Sequence, residues 1–442
     1  MKGTKELVKY ILIFVSIVLL ATTLLTLVAS IPRKYVEKNL KQAVEYFDKN
    51  NTEIRVEGED TNEYAYIHTY GEEMLFNIIY CLDTDNPLKS VMEAKYYERF
   101  ENEGGNKKYI QLVQNDLEPN AEYMRYWHGS MIFIKPLLMI FTLEQINLLN
   151  GIILLGLTIF LLALLIQKKY YEIVIAFIIG YIMTACWYVP LSFEFVYAFY
   201  AMLICSIISV IIEDKNSENK NKKLYMLFFI TGILTSFFDF LSTEILAILV
   251  PVLIVLSMRI KNKNLMTMKK ELIFLICSLM LWGIGYCIMF FAKWTIASCV
   301  LGINAFEYSV NKAVYRVNGQ VSNLSLIQMM VEAVEQNFKT LYFINWVKHK
   351  PIYLITFLVI IFVTIILVVD KKDKKKIQYL FLMSIIAIVP YIRFAVLANH
   401  SIRHMFMTFR CQFATIMCIV LILICTTNKE KLFSEIKGKN RE

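Results

Sequence analysis

The chain is 442 residues long, 57% hydrophobic and only 19% charged, with a mean hydropathy of +0.52. That balance excludes an ordinary soluble domain and fits an integral membrane protein, in which each crossing of a hydrocarbon core about 30 Å thick needs roughly 20 apolar residues. The net charge of +9 would suggest nucleic acid in a soluble protein, but many of the basic residues sit in short loops between apolar runs, so they read as topogenic signal and no nucleic-acid partner is expected.

Lys2, Lys5 and Lys9 precede an apolar run from Tyr10 to Ile31. The run is longer than a signal-peptide core, and Val28-Ala29-Ser30 puts valine where a cleavage site wants a small residue. Residues 1–31 are therefore expected to remain as a first transmembrane helix. Residues 32–147 form the one long polar stretch, expected as an extracytoplasmic loop carrying interfacial helices. In it Val36, Leu40, Ala43, Val44 and Phe47 recur at helical spacing. Glu57-Gly58-Glu59 and Asp60-Thr61-Asn62 read as loop. Met74 to Tyr80 is an apolar patch that a helix would press onto the bundle, ended by Asp83-Thr84-Asp85-Asn86-Pro87. Ser130 to Phe141 is apolar but broken by Lys135-Pro136 and too short to span, which predicts an interfacial or re-entrant helix.

Residues 148–291 hold six expected crossings: Leu148–Ile166, Ile173–Tyr188, Phe195–Ile212, Leu224–Phe238, Leu241–Met258 and Leu272–Phe291. Outward turns fall at Val189-Pro190 and Phe238-Asp239-Phe240. Residues 292–350 read as a second extracytoplasmic loop, amphipathic, with a turn at Asn318-Gly319. Three last crossings lie in 351–427, at Pro351–Val369, Ile377–Leu397 and Gln412–Thr426, with an outer turn at 398–410 and a basic cytoplasmic tail at 428–442. The six segments that this path puts inside hold 24 of the 46 lysines and arginines, and the two short outward turns hold none. The bias supports an all-α polytopic protein of about ten transmembrane helices with both termini cytoplasmic; the expected location is a bacterial-type plasma membrane. Eight of the nine cysteines fall in or beside apolar runs and only Cys81 lies in the polar loop, so no disulfide framework is expected.

The turn at 398–410 breaks the charge rule. Arg393, His400, Arg403, His404 and Arg410 crowd the mouth of an apolar bundle, where a charge is costly unless something binds it. Lys293 opens the second outer loop beside Trp294, with Arg316 further along; Glu72 and Glu73 sit in the first loop, and Asp239 at a tight outward turn. Acids from one region and bases from another suit a reaction in which a carboxylate takes a proton from an acceptor while cations hold a phosphate leaving group. Plainer readings stand beside these. Adjacent glutamates on a loop are ordinarily solvated, Asp83 and Asp85 are rivals, and Asp239 would equally cap the following helix. His400 and His404 have the spacing of two metal ligands on a helix but no third ligand nearby. Arg393 would also snorkel to the interface.

This arrangement resembles the GT-C class of membrane glycosyltransferases, which use polyprenyl-phosphate sugars. The likeness is one of architecture over most of the chain: many helices, a long first outer loop with acidic residues, interfacial helices after it, and basic residues in later outer loops. By that resemblance Glu72 or Glu73 corresponds to the acidic base of the first loop, and Lys293, Arg393, Arg403 and Arg410 to phosphate-binding positions. Ser236 to Leu241 and Asn399 to Arg410 are also similar to segments of bacterial multi-spanning proteins of this kind. The usual acidic pair lies closer to the end of the first span and commonly includes an Asp.

The resemblance implies inverting transfer of a sugar from a polyprenyl-phosphate donor to an envelope glycan, lipid or protein acceptor. Glu72, Glu73 or Asp239 would act as base, and Lys293, Arg393, His400, Arg403, His404 and Arg410 would surround the lipid phosphate. A divalent metal is neither required nor excluded by these residues. A transporter or flippase of a lipid-linked saccharide would want polar residues deep in the spans, whereas Glu194 and Glu244 lie near the outer ends. An envelope polysaccharide polymerase or ligase also uses outer-face arginines and stays open as an alternative.

Overall fold

The computed structural model describes residues 2–50, 53–55, 66–98, 107–215, 219–238, 241–319, 324–341 and 372–427. Their only strands are two short antiparallel pairs, β1 (Glu53–Arg55) with β2 (Tyr66–His68) and β3 (Lys95–Tyr96) with β4 (Ala121–Glu122). The helices begin with α1 (Lys2–Ala29), α2 (Glu37–Asn50), α3 (Tyr70–Tyr80), α4 (Pro87–Glu93), α5 (Lys107–Asn115) and α6 (Met131–Leu137). There follow α7 (Leu143–Gln167), α8 (Tyr171–Met183), α9 (Val196–Asp214), α10 (Lys220–Phe238), α11 (Leu246–Lys261) and α12 (Met268–Leu301). The last are α13 (Ala305–Asn318), α14 (Leu326–Lys339), α15 (Lys374–Val396), α16 (Ala398–Arg403), α17 (Met405–Thr408) and α18 (Gln412–Thr426).

Six of these stretches are long and apolar enough to cross a membrane: α1, α7, α9, α12, α15 and the run Met405–Thr426. Their length and composition are those of an all-α membrane protein. Three boundaries differ from expectation. The seventh run does not stop at Phe291 but continues as one helix to Leu301. The third stops at Met183, because Ala185 turns left-handed (φ 49°) and a 3-10 turn takes Cys186–Leu191. The sixth starts at Leu246 after a positive φ at Leu241. The expected crossing at 351–369, the tail at 428–442, Asp239 and the loop at 57–62 lie outside the described residues.

Salt bridges and polar contacts define one end of the bundle. Lys222 meets Glu6 at 3.4 Å, Lys168 pairs with Asp214, and Lys261 reaches Glu172 at 2.5 Å. Lys375 donates to the Lys263 carbonyl and Lys376 to that of Thr427. The segments expected on the inner face thus meet at one end, as far as they are described. Arg259 knits its centre: 1% exposed, it donates to Glu271 at 2.8 Å, Glu213 at 3.0 Å and Asn221 at 2.7 Å, and lies over the Phe274 ring. A buried guanidinium needs carboxylates of this kind to compensate the charge it takes out of water.

Helices α10 and α12 approach most closely through small residues. A Cβ on Gly232 would stand 2.1 Å from the Trp282 carbonyl oxygen, and one on Gly285 2.4 Å from that of Phe229. Where lipid supplies no hydrophobic drive between helices, such backbone contact supplies the packing.

At the other end, the mouth, the described residues between 30 and 142 pack over the helix ends. The α2 stripe Val36, Leu40, Ala43 and Phe47 is buried, with Phe47 edge-on to Phe76 and Tyr109. Two lysines here close helices. Lys135 donates to the Ala29 carbonyl at the end of α1, and Lys293 to the carbonyls of Val91 (2.7 Å) and Met92 (3.3 Å) at the end of α4. Terminal carbonyls lack intrahelical partners and carry the negative end of the helix dipole, so an ammonium there is doubly favoured.

Candidate anion-binding cleft and buried acid cluster

Ser309, Lys312, Ala313 and Arg316 recur at i, i+3, i+4 and i+7 along α13, which puts them on one face. The helix starts where the Asn304 side chain accepts from the Glu307 N–H. That face closes a cleft of about 180 Å³ at the mouth. Phe290 and Trp294, one turn apart on α12, form its aromatic wall with Tyr126, and Arg125, Leu241 and Leu397 complete it.

The wall is held by polar contacts. Trp294 Nε1 donates to the Arg125 carbonyl at 3.1 Å, and Tyr308 OH to that of Glu122 at 2.8 Å, which ties α13 to β4. Arg125 stacks on Tyr123 (4.1 Å) and donates to its hydroxyl at 2.8 Å, while its buried Nε has no partner. Arg316 donates to His404 Nε2 at 2.9 Å, which fixes that nitrogen as unprotonated. The His404 ring stands 4.6 Å from that of His400, which is 2% exposed and leaves Nδ1 without a hydrogen bond. Burial, then coupling to His404 and the positive charges of Arg393, Arg316 and Arg125, hold the His400 pKa well below its ordinary value, so the imidazole is neutral. Lys312, Arg316 and Arg125 form no ion pair with a carboxylate among the described residues, and the lining contains no carboxylate.

The expected cations therefore separate. His400 and His404 come together beside the cleft. Arg403 is exposed and lies 5.8 Å from the Tyr315 ring. Arg410 is buried between Phe195 and Phe409 and donates to the Phe406 carbonyl at 2.9 Å. Arg393 is consumed internally: it bonds Glu244 (2.9 and 3.3 Å), Ser401 Oγ and the carbonyls of Leu241 and Ser242. Lys293 is the α4 cap described above, fully buried.

The acids form a second, separate group. Glu72 and Glu73 are not solvated; both are buried in the first turn of α3. Glu72 Oε1 accepts the Phe193 N–H at 2.5 Å and Glu73 Oε1 the Tyr109 N–H at 3.1 Å, each leaving Oε2 without a partner. Glu194 lies against them, so close that a Cβ on Gly71 would meet its Cγ at 2.3 Å. Burial pushes the Glu72 carboxyl up to about 8 and that of Glu73 to about 7, and holds Glu194 well above its ordinary range, with the charge of Glu72 adding to it. The opposite face of α3, Tyr70, Met74 and Ile78, packs with Tyr126, Leu241 and Phe290. One helix thus stands between the acid cluster and the cleft. Among the described residues no group of three His, Cys, Asp or Glu is arranged to hold a metal.

Arg125, Lys312 and Glu194 were not among the expected site residues. The α13 residues carried a signal in their i, i+3, i+4, i+7 spacing; Arg125 carried none. Comparison with known proteins finds no family model, no curated protein and no solved structure that matches this chain.

Proposed function

We propose that the protein seats the phosphate of a polyprenyl-phosphate-linked sugar in the cationic cleft and transfers the sugar to a cell-envelope acceptor, as the likeness to GT-C enzymes implies. On this reading it is a multi-pass protein of about ten spans in a bacterial-type plasma membrane, with both ends inside and the cleft outward. The observation that carries the reading is the cleft lining: Arg125, Lys312 and Arg316 all belong to it beside aromatic rings, and no carboxylate does. Cations kept without counter-charge at the rim of an apolar bundle favour an anion, and arginine suits phosphate geometrically.

Binding of a polyprenyl phosphate to the purified protein tests this directly. Each hydrogen bond to a charged group contributes about 1.5–3 kcal/mol, so Arg316→Gln is expected to weaken binding by roughly 10- to 100-fold. Wild-type affinity in both Arg316→Gln and Arg125→Gln would remove the proposal. Transfer also needs a base. Asp239 precedes the cleft-lining Leu241 by two residues in the chain, which makes it the carboxylate to neutralise first. The second reading, a carrier of lipid-linked saccharide, is favoured by the lack of a carboxylate in the lining; it predicts that the donor is moved intact, with no free polyprenyl phosphate released.

A further inference from the structure

The starts of α1 and α10 lie side by side at the ionic end, where Lys222 meets Glu6 at 3.4 Å and Tyr10 stands edge-on to Phe229 at 5.0 Å. Between them is a groove of about 380 Å³, lined by Glu6 and Lys9 on one side and by Asn219, Lys222, Lys223 and Met226 on the other. The spacing i, i+3, i+4, i+7 turns the last four to one helix face, and Glu6 and Lys9, three apart, share another. Three lysines against one glutamate leave the groove cationic, and Lys9 and Lys223 have no ion pair among the described residues.

Position says what kind of anion fits. The apolar runs begin at Tyr10 and Leu224, immediately past these lysines, so the groove sits where hydrocarbon gives way to water. Helix α1 is only 11% buried along its span, and Leu7, Val8, Ile11 and Leu12 around its first turns are exposed apolar side chains. A ligand with a phosphate at the lysines and acyl chains along this flank satisfies both halves; a soluble phosphate would use only one. We infer that this groove binds the head group of an anionic phospholipid in the leaflet opposite the cleft.

The test uses the full-length protein in nanodiscs of phosphatidylcholine with graded phosphatidylglycerol, counting lipids retained on the protein by native mass spectrometry. Juxtamembrane basic residues contribute about 1 kcal/mol each toward anionic lipid, or about fivefold in affinity. Lys222→Gln/Lys223→Gln is expected to lower phosphatidylglycerol retention by roughly 25-fold. Lys9→Gln, on the other helix, should give about fivefold and serves if the pair variant folds poorly. The charge-matched control Lys269→Gln/Lys270→Gln, at exposed positions of the same end but outside the groove, reads the general pull of surface lysines on anionic lipid and should lose clearly less than the groove pair. Equal losses in the control, or unchanged retention in both groove variants, would overturn the site. Displacement of phosphatidylglycerol by inorganic phosphate at the same concentration would make it a free-phosphate site and overturn the lipid assignment.

Discussion

Burial of Glu72 builds a pH dependence into the fold. Fully buried, its carboxyl is pushed from 4.5 to about 8, with the Phe193 N–H pulling the other way. A carboxyl whose folded pKa exceeds its unfolded one stabilises the fold while protonated: the contribution is complete below about pH 4.5 and is lost as pH rises toward 8, because only the folded state keeps the proton in that window. At about 1.4 kcal/mol for each pH unit, Glu72 alone weakens the fold by on the order of 4 kcal/mol between pH 4.5 and 8. Glu73 and Glu194 act with the same sign. Glu72→Gln keeps the shape and an acceptor for Phe193 but cannot ionise. Thermal unfolding in detergent, scanned at one rate at pH 5, 7 and 8.5, should show the wild-type midpoint falling with pH and the variant falling less, so that the variant gains on the wild type at alkaline pH. Parallel pH profiles for the two proteins would refute the reasoning. A catalytic Glu72 would add a second signature, transfer rising with pH through about 8.

The Arg393–Glu244 pair is buried on both sides, so Glu244→Ala strands a charge and should cost about 3–5 kcal/mol in thermal unfolding, most of it recovered in a Glu244→Met/Arg393→Met double variant. Gly232→Leu should lower the yield of folded protein sharply by prising α10 from α12, while Gly283→Ala on α12, with nothing within 4 Å of the added carbon, should match the wild type. Asn337, fully buried, donates to Ser401 at 2.9 Å and accepts Thr408 at 2.6 Å. Asn337→Ala should cost about 1–3 kcal/mol and raise hydrogen exchange across 398–411 before other segments.

What could be read from the residue order was what depends on neighbours along the chain. The α2 stripe from Val36 to Phe47 repeats at helical spacing, and the spans announce themselves by uninterrupted apolar length. What depended on partners far away was hidden. Arg393 and Glu244 stand 149 residues apart, so each looked like a lone charge at the membrane rim. Lys293 looked like the end of a span, yet its ammonium is satisfied by the Val91 and Met92 carbonyls and the helix runs on. Glu72 and Glu73 sit in a stretch that reads as water-facing, and only the chain around Phe193 and Tyr109 closes over them. Arg125 has no periodic company at all; its place beside Arg316 is set by strand pairing and by Trp294.

Because Met268–Leu301 is a single unbroken helix, the two ends of the molecule share one rigid lever. Glu271 is anchored in the Arg259 network, and Trp294 stands in the cleft wall about 35 Å away along the axis at 1.5 Å per residue. A tilt of one degree about the anchor carries the indole by about 0.6 Å on that arm, comparable to the tolerance of a hydrogen bond. Loosening the carboxylates that grip Arg259 would therefore be felt as a change of aperture at the far side, with no residue of the wall itself altered.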